Sequence, residues 1–168
     1  MNTTLNQASS FKVNTDILFT DTQQAELYEL LDINVDPYLN YPHFLATVQE
    51  IAKLKTPRFF NDICATLRAA DIRETPVFML KNCPIDRVVP YLGFEDQLNE
   101  KYRLKKTFVA EAFLTFFTEL MGTCVIGYRT ANNGDMFHDI HPMRALAHTP
   151  SQKTVDTIRF HADIPNNR

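Results

Sequence analysis

Tryptophan is absent from this chain and glycine is scarce: 168 residues contain no Trp and four Gly. Tight β-hairpins draw on residues that accept positive φ, so four glycines argue against a compact all-β protein. Cys64, Cys83 and Cys124 are scattered and odd in number, with no C-x-x-C pair. That speaks against a disulfide framework and fits a reducing, cytoplasmic compartment. A net charge of −3 and a pI near 5.9 give no electrostatic case for nucleic acid. No apolar run approaches the length of a membrane span, and Met1–Ser10 lacks the basic start and apolar core of a signal segment. Repeats, low-complexity linkers, a Gly-rich phosphate loop and a G-x-S-x-G elbow are missing too.

What the chain does have is apolar mass. With 45% hydrophobic residues and 13 Phe, it can bury one substantial core, and a single domain over 1–168 is expected, with the polar residues 1–10 loose. Phe11–Phe19 suits a short extended segment. Thr20 and Gln23 form a capping box, followed by Leu27, Leu30 and Leu31 at helical spacing as far as Asp36-Pro37. Pro42 opens a second helix, with Phe44, Leu45, Val48, Ile51 and Ala52 on its buried face. Thr56-Pro57 opens a third, striped by Phe60, Ile63, Leu67 and Ala70.

After these helices the pattern changes. Thr75–Pro84 is a short apolar run between prolines, consistent with a buried strand, and residues 84–106 read as a loop. Lys101–Lys106 reads as a solvated basic face. From Thr107 to Gly122 a long amphipathic helix carries Phe108, Ala112, Phe116, Leu120 and Met121, with Gly122 as its C-terminal cap. Its phenylalanines have the spacing of a core helix backing a sheet. Cys124–Tyr128 and Met136–Ile140 are expected strands around the Asn132-Asn133-Gly134-Asp135 turn. Val155–Ala162 is a further strand.

That last strand delivers the chemistry. His161 and Asp163 lie two residues apart, so on a strand both point to one face. An imidazole nitrogen and a carboxylate oxygen there can share one cation, as two thirds of the 2-His-1-carboxylate triad that holds Fe(II). The bare motif is unspecific, because five histidines and 20 acids make an accidental His-x-acid pair commonplace. A His and an Asp at an ordinary strand end are the competing reading. His138, His141 and His148 could mark a separate metal site, but His138 and His141 would face opposite sides of a strand. One of them as a third ligand to the same ion is a further alternative. His43, beside Pro42, reads as a surface residue at a helix start.

Set in order, several segments resemble the Fe(II)/2-oxoglutarate oxygenases of the clavaminate synthase and taurine dioxygenase group. Pro76–Asn82 resembles the early buried strand of that group. Leu120-Met121-Gly122-Thr123-Cys124-Val125 resembles its helix-to-strand passage, and Phe137-His138-Asp139-Ile140-His141-Pro142 its aromatic-x-Asp-Ile-x-Pro segment. His161 and Asp163 match its first two iron ligands, and the resemblance covers roughly residues 70–168.

The resemblance implies an α+β fold: N-terminal helices followed by part of a double-stranded β-helix (jelly-roll) core backed by the long helix. It implies Fe(II) and 2-oxoglutarate as cofactors and hydroxylation of an unactivated C–H bond in a small molecule, such as an amino acid. Asp163 argues against halogenation, which needs that ligand position free for chloride. Family members run to about twice this length, so 168 residues correspond to an N-terminal half, without the distal histidine and the 2-oxoglutarate-binding arginine. By analogy the polar turn before the metal strand contributes Ser151 to the co-substrate, an ordinary turn serine being the plainer reading. The alternative is a non-catalytic α+β piece that binds a partner or self-associates through open sheet edges.

Overall fold

The computed structural model describes residues 15–71, 73–74, 77–93, 95–127, 129–130 and 132–139. They fall into two compact units, the first within Met1–Val88 and Lys106–Ile126, the second within Val89–Lys105 and Gly127–Arg168. The first unit contains β1 (Thr15–Leu18), α1 (Asp21–Leu31), α2 (Tyr41–Leu54), α3 (Arg58–Ala69) and β2 (Phe78–Lys81). The second contains α4 (Gln97–Leu104) and a 3₁₀ turn at Asn132–Gly134. Helix α5 (Val109–Leu120) returns to the first unit.

Local chemistry accounts for the helix starts. The Thr20 hydroxyl accepts from the Gln23 N–H at 3.2 Å while the Gln23 side chain accepts from the Thr20 N–H at 2.9 Å. That is the capping box expected of α1, and it satisfies two orphan donors reciprocally. Asn40 caps α2 by accepting from the His43 N–H at 3.1 Å, with proline in the first turn. Helix α5 ends at left-handed Gly122, whose φ of 71° needs no Cβ.

The core of the first unit is aromatic. Phe60 of α3 stacks on Phe116 of α5 with ring centroids 5.3 Å apart, and Phe19 and Phe113 close around it at 5.8 Å each. Phe44 and Val48 of α2 and Leu27 and Leu31 of α1 are buried as well, and α5 packs against α1, α2 and α3. The core reading of the Phe-rich helix therefore holds.

The expected jelly-roll does not. Among the described residues there are five helices and one two-stranded sheet, in which β1 and β2 pair parallel with Thr15 opposite Phe78 and Leu18 opposite Lys81. A parallel pair requires a crossover, and here α1, α2 and α3 supply it. A jelly-roll, by contrast, is antiparallel and needs hairpins. Cys124–Gly127 and Met136–Asp139 form no strands. Asn132–Gly134 do turn, as a 3₁₀ turn with Asn133 and Gly134 left-handed, but the turn does not join the two expected strands. A Cβ on Gly127 would lie 2.8 Å from Met136 Sδ and 3.2 Å from the Asp135 carbonyl. Gly127 thus lies close against Met136 and the Asp135 carbonyl.

The Thr75–Pro84 run also differs from expectation. It gives a strand of four residues whose apolar side chains are largely exposed, among them Phe78 and Met79. Residues 84–106, expected as a loop, contain α4.

Candidate functional site

His161, Asp163 and Ser151 lie outside the described residues, as do His141, His148 and the Val155–Ala162 strand. His138 is described and exposed; His43 is exposed at the start of α2, as its position beside Pro42 implied. No group of three His, Cys, Asp or Glu side chains able to hold a metal occurs among the described residues. The described cysteines are free: Cys64 is buried and Cys124 exposed. Burial pushes the Cys64 and Cys83 thiols above their ordinary pKa, which suppresses the thiolate that would act as a nucleophile or metal ligand.

Buried polar groups occur in both units. In the first, the Asp86 carboxylate accepts from the Val109 N–H at 3.0 Å and the Ala110 N–H at 3.5 Å. It caps α5 from a distant loop, placing negative charge where the helix dipole favours it. On the same helix Glu111 accepts from the Tyr38 hydroxyl at 2.6 Å. Both carboxylates are tied to protein donors and orient α5 against its neighbours.

The second unit holds the denser charge cluster. Lys101 Nζ lies 2.6 Å from Asp135 Oδ2, and the Tyr102 hydroxyl donates to the same oxygen at 2.9 Å. One turn further on, Lys105 Nζ donates to Asp139 Oδ1 at 3.0 Å. Burial first, then hydrogen bonding to Asp135, raises the Tyr102 pKa, so the phenol stays protonated and acts as a donor. The Glu100 carboxylate accepts the Gly93 N–H from the preceding loop. Chemically, the cluster pairs and hides charge. It brings two ammonium groups onto two carboxylates and leaves the pairs mostly shielded from water.

Lys101 thus overturns part of the solvated basic face expected over Lys101–Lys106, being buried in its ion pair. The spacing was visible in the sequence, since Lys101 and Lys105 are four apart and so are Asp135 and Asp139. Nothing in the sequence says which lysine meets which acid. Asp86 carried no signal at all, because its partners lie 23 and 24 residues away.

Comparison with protein-family models, with curated proteins and with solved structures found no match.

Proposed function

We propose that the chain carries part of an Fe(II)/2-oxoglutarate-dependent oxygenase, with His161 and Asp163 as two of its metal ligands. The observation that carries this reading is the His161-x-Asp163 pair at the end of an apolar run. Its donor set suits the metal: a neutral imidazole nitrogen and an anionic carboxylate oxygen are the ligand types that ferrous iron takes in the facial triad. In that role Asp163 offsets metal charge and His161 contributes a neutral donor, leaving adjacent positions for the co-substrate. Ferrous iron held there would let dioxygen, the oxidant, be reduced with 2-oxoglutarate as the co-substrate that is decarboxylated to succinate, hydroxylating a C–H bond of a small molecule, an amino acid being the class the resemblance suggests. By the same resemblance Ser151 would contact the co-substrate, and a cytoplasmic setting accompanies the reading through the three unpaired thiols.

Anaerobic titration of the full chain with Fe(II), with and without 2-oxoglutarate, tests the proposal. Saturable iron binding that Asp163→Ala and His161→Ala each abolish is the expected result. Iron uptake unchanged in the double variant would overturn it.

A second reading, self-association, has its own support. The sheet has only two strands among the described residues, so each keeps an open edge, and Leu18, Phe78 and Met79 are exposed upon it. Unpaired edges with apolar side chains recruit further strands. Sedimentation across a concentration series should show a monomer–oligomer equilibrium that Met79→Lys shifts toward monomer; an unchanged equilibrium argues against it.

A further inference from the structure

Two asparagines among the described residues hold a left-handed backbone, Asn82 at φ 56° and Asn133 at φ 57°. Asparagine tolerates this region better than most side chains, so the conformation by itself asks for no function. The neighbour and the side-chain amide set the two apart. Asn82 precedes Cys83, and its NH2 group donates to the Phe19 carbonyl at 3.0 Å and to Asp21 Oδ1 at 3.2 Å. Asn133 is exposed and precedes Gly134, in the only Asn-Gly step of the sequence. We propose that Asn133 is a self-modification site: the Gly134 amide closes a ring on its side chain, and the carboxylate that results adds an anion to the Lys101–Tyr102–Asp135 cluster. The site is independent of the oxygenase reading.

The chemistry needs water alone. The Gly134 nitrogen, its proton lost to solvent base, attacks Asn133 Cγ; the N–Cγ bond forms, the Cγ–Nδ2 bond breaks, and ammonia leaves. Water then opens the cyclic imide, giving aspartate by attack at Cγ and isoaspartate by attack at the main-chain carbonyl. Glycine suits the attacking position, because no side chain crowds its nitrogen. The turn holds Asn133 at φ 57°, ψ 18°, so ring closure requires a transient rotation out of it, and hydrolysis then makes each such event irreversible. One further restraint acts: the Asn133 amide donates to the Tyr102 hydroxyl. That hydroxyl already gives its proton to Asp135 Oδ2 at 2.9 Å. A phenol has one proton and an ionised carboxylate has none to donate. After conversion two anions therefore share one hydroxyl, beside an ion pair whose side chains are 4% and 10% exposed. Like charges in such a shielded place repel more strongly than in water.

Peptide mass mapping of the full chain, held native in mildly alkaline buffer, tests this. The peptide containing residue 133 should gain the mass of O in place of NH and appear in two chromatographic forms, while Asn82 keeps its amide. The same chain in urea should convert faster at residue 133, since the turn no longer restrains it. Tyr102→Phe should speed the native reaction about two- to tenfold, the factor that one hydrogen bond allows, without changing the rate in urea. Asn133→Asp, which keeps a side chain tolerant of the left-handed region, should lower the thermal unfolding midpoint below that of wild type. A native chain that keeps its amide at residue 133 while the urea-unfolded chain converts would overturn the proposal. An Asn133→Asp variant as stable as wild type would overturn the coupling to the cluster.

Discussion

The two units are held by different physics. The first is closed by aromatic rings, with Phe60 at the centre of Phe19, Phe113 and Phe116. The second buries few large apolar side chains among the described residues, chiefly Leu92 and Phe137, and pairs shielded lysines with aspartates. Apolar burial is non-directional and tolerates approximate geometry. Buried ion pairs stabilise only when both partners are present and well placed. The first unit should therefore yield gradually to substitution, and the second abruptly and with a dependence on which partner is lost.

Phe60→Ala should give the largest effect. It removes the ring that the other three contact, at a cost of about 3–5 kcal/mol, read as a lower midpoint in urea denaturation with little response to salt. Lys101→Met attacks the second unit on comparable terms, about 3 kcal/mol, by leaving Asp135 buried without its ammonium partner. Its signature is the double variant with Asp135→Leu, which should recover much of the loss; no comparable rescue exists for Phe60→Ala. If the double variant is no more stable than the single one, the contrast between the units fails.

Asp86→Ala comes next. It uncaps α5 inside the first unit and should cost about 1–2 kcal/mol, measurable by thermal unfolding, with faster exchange at the Val109 and Ala110 amides. Thr20→Ala removes one half of the α1 capping box for about 1 kcal/mol. Lys81→Ala is expected to be nearly silent, because its pair with Asp16 is half exposed on both sides and such pairs contribute about 0–1 kcal/mol. A large loss there would mean that the small sheet matters more than its exposed side chains suggest.

Local signals were legible in the sequence and remote ones were not. Thr20 and Gln23 are three residues apart, so their reciprocal bonds could be read directly. The Phe stripe of α5 could be read from its period. Helix α4 escaped notice because its buried residue is a lysine, which a hydrophobic pattern discards. The strand at Phe78–Lys81 was recognised as extended but given the wrong surroundings: its apolar composition implied burial, whereas the parallel partner β1 leaves it largely exposed. The jelly-roll expectation failed for a related reason. It rested on a resemblance in the order of segments, and segment order does not determine which strands pair. The proposed metal pair, His161 and Asp163, is read from ligand type and spacing alone.

The direction of the β1–β2 pairing bears on biosynthesis. Thr15 must wait for Phe78 before it can find its partner. At roughly 5–20 residues per second of translation, that interval is about 3–13 seconds. During it three complete helices emerge from the ribosome ahead of β2. The capping box beside Thr20 can give α1 a defined start within this window, but α1, α2 and α3 meet their shared packing partner α5 only after β2 has been made. Silent codon changes that slow synthesis between residues 55 and 78 would lengthen the wait and enlarge the yield of aggregated nascent chain.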